Sequence, residues 1–127
     1  MALSPAIRAL ASGRNFETLT TLLPDGHPAT QVMWIDHDDD CLVLNTEAHR
    51  QKVRNIERDP RVTVCIWQHD DPYRYVEVRG EVVETIRGPR ARAHIDACAQ
   101  RYFGRDYDEA QIRSERVILR VRPLDER

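Results

Sequence analysis

A mainly β, α+β chain folded as a small antiparallel barrel, with six strands and two or three helices, is what this sequence predicts. Three observations carry that prediction. β-rich runs follow one another with hairpin spacing, which favours antiparallel pairing over an open α/β sheet. Pro24-Asp25-Gly26-His27 is a turn signal between two of those runs. The long run from Tyr73 to Thr85 contains Gly80 in its interior, where a strand can bulge or bend and so help a sheet to close.

The elements follow in order. Ser4-Pro5 reads as an N-cap with proline at the first helical position, opening a short helix through about Leu10 that stops near Gly13. Phe16 to Leu23 is a strand, and Pro28 to Asp36 returns from the turn as its hairpin partner. In the returning strand Thr30, Val32 and Trp34 share one face and Gln31, Met33 and Ile35 the other. His37 to Asp40 is a polar turn into the strand Cys41 to Asn45. A short cationic helix follows, anchored by Val53 and Ile56 and ended by Asp59-Pro60. Val62 to Gln68 is a strand, His69 to Pro72 a loop, and Tyr73 to Thr85 the long strand. Gly88-Pro89 opens a helix to about Tyr102 with Ala91, Ile95 and Cys98 on its inner face. Arg101 to Gln111 is mostly loop, and Val117 to Val121 is the last strand.

The chain has 127 residues and a formal charge of −2, which suits one domain over residues 1–127 with one core. No apolar run approaches the ~20 residues of a membrane span, and Met1 to Pro5 begins no signal peptide. Mild acidity argues against a nucleic-acid binder. Cys41, Cys65 and Cys98 are odd in number and form no C-x-x-C, so free thiols in a reducing cytoplasm are expected, with Cys41 and Cys65 buried in apolar runs.

Against that acidic background, Asn45 to Pro60 concentrates Arg50, Lys52, Arg54 and Arg58 just after an apolar strand. Arg50, Arg54 and Arg58 lie four apart and form one stripe, which reads either as a solvated helix face or as part of a phosphate cradle. A strand end leading into a helix start presents backbone N–H groups to an anion, and Arg and Lys add charge-assisted hydrogen bonds. Other chemistry is missing. Ser4, Ser12 and Ser114 stand in no nucleophile elbow, the glycines form no phosphate-binding loop, and the histidines show no zinc spacing. His37-Asp38-Asp39-Asp40 reads as a solvated turn rather than a cation site.

Taken in order, F-E-T-L-T-T-L-L-P-D-G-H-P from Phe16, V-M-W-I-D-H-D from Val32, L-V-L-N-T-E-A-H-R-Q-K-V-R-N-I-E-R-D-P-R-V-T-V from Leu42 and D-P-Y-R-Y-V-E-V-R-G-E-V-V-E from Asp71 resemble the pyridoxamine 5′-phosphate oxidase-like flavoprotein superfamily. Within it they look most like the actinobacterial branch of deazaflavin (coenzyme F-420)-dependent oxidoreductases. The resemblance implies an FMN-binding type of split β-barrel that forms a homodimer with cofactor sites at the interface. It implies that Arg50 and Lys52 bind the cofactor's phosphate, helped by Thr46 and Asn45. It implies further that Gln31, Val32, Met33 and Trp34 line the deazaflavin ring, partly through backbone groups. Two positions depart from the family pattern. His49 stands where glycine is frequent before Arg50, and Val32-Met33 stand where many relatives carry a proline before the tryptophan. The R-V-R-P-L-D-E-R end lacks the extended segment expected of the vitamin-making oxidase, which disfavours pyridoxamine phosphate oxidation.

The implied activity is hydride transfer from reduced coenzyme F-420 to a planar conjugated small molecule; the cofactor carries that chemistry, so no catalytic side chain and no metal are expected. Trp67, Tyr73 and Tyr75, with Trp34, are candidate walls of the substrate pocket. Trp67 also reads as core, and Tyr73 and Tyr75 also read as interface. Tyr73 or water could supply a proton. Glu77 and Arg79 are expected in a cross-strand ion pair, and His94 in a structural role. FMN is the alternative cofactor, since it presents the same phosphate to Arg50 and Lys52. A non-catalytic deazaflavin or haem carrier is the alternative function.

Overall fold

The computed structural model describes residues 2–127; Met1, the first residue of the expected domain, lies outside them. The strands are β1 (Phe16–Leu22), β2 (Pro28–Trp34), β3 (Asp36–His37), β4 (Leu42–Glu47), β5 (Arg61–Gln68), β6 (Asp71–Ile86) and β7 (Arg116–Glu126), and the helices are α1 (Pro5–Ser12), α2 (Gln51–Arg58) and α3 (Pro89–Phe103), with a single 3₁₀ turn at Glu109–Gln111. All strands belong to one antiparallel sheet in the order β2-β1-β5-β6-β7-β4-β3. Its two edge strands, β2 and β3, are separated in sequence by Ile35 alone. The chain therefore leaves one edge of the sheet and joins the other within a single residue, which requires the sheet to curl into a split barrel. This also explains why seven strands stand where six were expected: the returning strand from Pro28 is broken in two at Ile35.

The break is held by α3. The Ile35 N–H donates to the Tyr102 hydroxyl at 3.2 Å, and the Ile35 carbonyl accepts from Arg101 Nη1 at 2.9 Å. Both polar groups that a broken ladder would leave unpaired are thus satisfied. The Ile35 side chain is fully buried in the core.

Strand alternation sets the interior. In β1 the inward residues are Glu17, Leu19 and Thr21, and in β5 they are Val62, Val64 and Ile66. They meet Leu42, Leu44, Val76, Val78, Val117, Leu119 and Val121 in one apolar core. α1 adds Ile7, Leu10 and Ala11 to it, each large side chain contributing about 1.5–3 kcal/mol of burial. Ser4 caps α1 by accepting from the Ile7 N–H at 3.1 Å, with Pro5 in the first turn. α2 adds Val53 and Ile56, and its Asn55 donates to Thr21 Oγ1 at 3.0 Å, fixing the helix against β1. β4 is buried on both faces because α3 covers its outer side, where Val43 meets Ala91 and Ile118.

Gly80 marks the bend in β6. The β6–β7 register shifts between Arg79 and Gly80, and a Cβ there would stand 2.5 Å from the Arg122 carbonyl oxygen. Close backbone approach, rather than unusual φ, is the reason for glycine at this position. β6 begins at Asp71, so Asp71 and Pro72 are strand rather than loop, and β7 runs on to Glu126, beyond the expected Val121. Glu77 and Arg79 do form an ion pair, at 3.0 Å, but along one strand rather than across two. Cys41 and Cys98 are buried and Cys65 is half-buried; all are free thiols.

Candidate functional site

β2 pairs only with β1, and β4 only with β3 and β7, so a cleft of about 620 Å³ opens between β2 and β4 beside Ile35. One wall is β2, from Gln31 to Trp34; the other is Val43 and Asn45 to Glu47 of β4, with His49, Arg50 and Lys52 at the start of α2. α3 contributes Ile95 and Cys98, and the segment before β7 contributes Tyr107, Gln111, Arg113 and Arg116. All eight residues expected at a cofactor, Asn45, Thr46, Arg50, Lys52, Gln31, Val32, Met33 and Trp34, stand around this single cleft.

The cationic segment divides. Arg50 is the N-cap of α2, with extended backbone (φ −66°, ψ 143°), so it lies off the helical stripe that its spacing suggested. Its side chain cannot accept a hydrogen bond, and no side chain caps this helix N-terminus. Arg54 instead donates to the His49 carbonyl at 2.9 Å and to Gln51 Oε1 at 2.8 Å, and Arg58 donates to the Leu22 carbonyl. Two of the stripe's three arginines are therefore committed to local structure. Among the described residues neither Arg50 nor Lys52 forms an ion pair with a carboxylate; the one polar contact of Lys52 Nζ is to Met33 Sδ at 3.7 Å. Burial, and after it the Arg50 charge, pushes the Lys52 ammonium below its usual pKa, with Glu17 pulling the other way. An anion placed here would relieve both strains.

Beside them Arg116 is buried, stacks over the Tyr107 ring at 5.2 Å and donates from Nε to Asn45 Oδ1 at 2.8 Å. Asn45 spends its amide donors on the Ala91 carbonyl (2.9 Å) and His94 Nδ1 (3.0 Å). Its side chain thus has no donor left for a phosphate and serves to orient Arg116. Glu47, the cleft's carboxylate, accepts the Arg113 N–H at 2.6 Å and the Ser114 N–H at 2.9 Å and lies 3.9 Å from Arg116. Burial raises its pKa, but those two amides and Arg116 outweigh burial and hold it below the usual carboxylate range. His49, where glycine is frequent in the resembled family, does not open the turn: its Nδ1 lies 2.6 Å from Ser114 Oγ, tying the turn to the β7 side.

Behind the cleft, His94 Nε2 contacts Asp36 Oδ2 at 2.9 Å and Cys98 Sγ at 3.5 Å. These three could in principle hold a metal ion. Asn45, however, is fixed by both Arg116 and Ala91 so that its NH₂ points at His94 Nδ1. Nδ1 must then accept, the ring proton sits on Nε2 and is donated to Asp36, and no lone pair is left for a metal. Burial opposes charge on His94 and Asp36 and Cys98 pull its pKa upward, but an Nδ1–H would face the Asn45 NH₂, so this arrangement holds the ring neutral. Asp36 also receives Arg101 at 2.7 Å; burial raises its pKa, but His94 and Arg101 outweigh that and hold it at about 2.

The expected substrate-pocket residues lie elsewhere. Trp67, Tyr73 and Tyr75 are not in the cleft, and Tyr73 is 91% exposed. Yet register places Trp34, Phe16, Trp67 and Tyr75 directly opposite one another across β2, β1, β5 and β6. This aromatic row starts in the cleft, where Trp34 stacks on Tyr102 at 4.7 Å, and runs outward to the exposed Tyr75. Sequence reasoning missed Phe16, Tyr107, Arg113 and Arg116 as cleft residues, and no local signal marks them, because they come from distant elements. It also missed Glu17, which the alternation of β1 places on the inner face.

The sequence profile of the pyridoxamine 5′-phosphate oxidase family matches residues 3–127. A solved F-420 reductase is 33% identical, with 94% of each chain covered and a TM-score of 0.83. A conserved hypothetical protein from Mycobacterium tuberculosis is 30% identical, with 98% of this chain and 83% of that one covered and a TM-score of 0.77. A heme storage protein from Vibrio cholerae shares the fold at 16% identity, with 98% and 92% coverage and a TM-score of 0.64. No curated protein matches the sequence.

Proposed function

The chain belongs to the pyridoxamine 5′-phosphate oxidase family, and from that premise we propose that it is an oxidoreductase using reduced coenzyme F-420 to transfer a hydride to a planar conjugated small molecule. The observation that carries this reading is the convergence on one cleft of Arg50 and Lys52, neither paired with a carboxylate, and the β2 wall from Gln31 to Trp34. The cations and the uncapped start of α2 suit a phosphate, and the strand wall suits a flat ring. The donor set therefore fits the cofactor. Arg50 and Lys52 would hold its phosphate with Thr46 beside them, Arg113 and Arg116 would add positive field, and Gln31 to Trp34 would support the ring.

When bound, the deazaflavin supplies the hydride; the protein binds, orients and excludes water. Asn45 acts through Arg116, as its hydrogen bonds require. The likeness to a solved F-420 reductase over 94% of the chain favours the deazaflavin over FMN. A second copy of the chain completes the site in this reading: Val32 in the cleft is 61% exposed, and Tyr73, Tyr75, Phe103 and Leu124 are exposed large apolar side chains of the kind that pairing would cover.

Titrating purified apo-protein separately with coenzyme F-420 and FMN, by cofactor fluorescence, tests the assignment. Binding of F-420 with turnover of a quinone, enone or nitroaromatic acceptor is expected. Binding of FMN alone would overturn the cofactor, and F-420 binding with no acceptor turned over would make the protein a carrier. Gel filtration should give a dimer; a cofactor-binding monomer would remove the partner from the site.

A further inference from the structure

Glu17 is the most isolated charge-bearing group in the barrel. It is fully buried, and among the described residues no hydrogen-bond donor reaches either carboxylate oxygen. Register puts Met33 opposite it from β2 and Ile66 from β5, so its neighbours on the inner face are apolar. Lys52 reaches the same place from α2, where its ammonium contacts the Met33 sulfur at 3.7 Å. Glu17 and Lys52 thus meet at Met33, the carboxylate on the core side and the ammonium on the cleft side.

We propose that Glu17 is the positioning residue for Lys52, holding the ammonium at the cleft in the free protein and taking up a proton from solvent when an anionic ligand takes that ammonium over. The proposal rests on the cleft binding a phosphate-bearing cofactor. A carboxylate in apolar surroundings stays ionised only where an opposite charge compensates for lost hydration. Here burial drives the Glu17 pKa well above its usual value, and the Lys52 charge pulls it part of the way back. Cys65 of β5 is the other titratable neighbour, while Arg50 and Arg116 act on Glu17 through Lys52. A phosphate on Lys52 cancels the compensating field and adds a like charge, so the carboxylate protonates. Binding that takes up a proton weakens as pH rises. Glu17 therefore makes anion affinity fall at alkaline pH, by up to about tenfold per pH unit for one proton.

The test is calorimetric titration of coenzyme F-420 and of FMN into the holo-competent chain between pH 6 and 9, in buffers of different ionisation enthalpy, for the wild type and Glu17→Gln. Wild type is expected to take up as much as one proton more than the variant, and its affinity is expected to fall with pH more steeply than the variant's. Equal proton uptake and parallel affinity profiles would overturn the proposal while leaving cofactor binding intact. If neither cofactor binds, the cofactor reading fails instead, and the coupling is read without ligand by carboxyl NMR titration. Lys52→Met should move the Glu17 titration to higher pH by a unit or so on the scale of a lost neighbouring charge. An unmoved Glu17 overturns the proposal whether or not any ligand binds, and this holds even if Glu17→Gln fails to fold.

Discussion

Glu47 and Glu17 are both almost fully buried, 3% and 0% exposed, and both stand next to the cleft's cations, yet Glu47 receives two backbone N–H groups and an arginine while Glu17 receives no hydrogen bond at all. Their pKa values move in opposite directions as a result. Burial penalises both carboxylates equally in kind; what separates them is whether the chain supplies donors at that point. Glu47 sits at the end of β4, where the turn before β7 folds back with two free amides. Glu17 is the second residue of β1, where the ladder sets Met33 and Ile66 opposite it and leaves no turn to fold back onto its carboxylate. The first is built into the fold, and the second is held by one lysine that faces the cleft.

Several substitutions sharpen this contrast. The largest effect is expected for Glu47→Ala, which strands the Arg113 and Ser114 amides and the buried Arg116 charge. A loss of about 3–5 kcal/mol in denaturant unfolding is expected. A loss under about 1 kcal/mol would show that water replaces the carboxylate without cost. Next comes Lys52→Ala, which should weaken cofactor binding by about 1–3 kcal/mol in a fluorescence titration, and unchanged affinity would remove Lys52 from the site. Glu17→Leu should instead stabilise the fold by about 1–2 kcal/mol at pH 8, since it replaces a buried charge balanced only by Lys52 with an apolar side chain. Arg54→Ala should change cofactor affinity by no more than about 0.5 kcal/mol, because its guanidinium is committed to His49 and Gln51.

The same two residues predict opposite limbs of a pH–stability profile. Glu47 has a depressed folded pKa, so its contribution is present above the unfolded value near ~4.3 and is lost as pH falls through the folded one. Asp36, held to about 2, adds to that acid limb. Glu17 has a raised folded pKa, so its effect is most favourable below the unfolded value and is lost as pH rises through the folded one. Urea unfolding of Glu17→Leu across pH 5 to 9 should show a gain that grows with pH. A gain independent of pH would mean that Glu17 is already ionised in the native barrel across this whole range, without a raised pKa.

Much of the fold was legible because period and turn chemistry are local. The Ser4-Pro5 helix start, the Pro24 to His27 turn and the Gly80 bulge are each written in a few adjacent residues, and each is where those residues place it. The break at Ile35 was not legible. Nothing in V-M-W-I-D-H interrupts a strand; Tyr102 and Arg101, more than sixty residues away, satisfy the Ile35 backbone and make the break tenable. The split of the arginine stripe was hidden for a similar reason. Spacing groups Arg50, Arg54 and Arg58, but helix α2 begins one residue after Arg50 and so turns that side chain away from the other two.

By itself the sequence determined the strand-rich order of elements, the family and the segment that carries the unpaired cations, since each depends on residues close together in the chain. Only the tertiary structure decided which cations remain available, which glutamate is compensated, and that Arg113, Arg116 and Tyr107 share the cleft with β2. Charge compensation and cavity lining are set by distances between elements remote in sequence, and those distances exist only once the sheet has curled so that its two edges meet at Ile35.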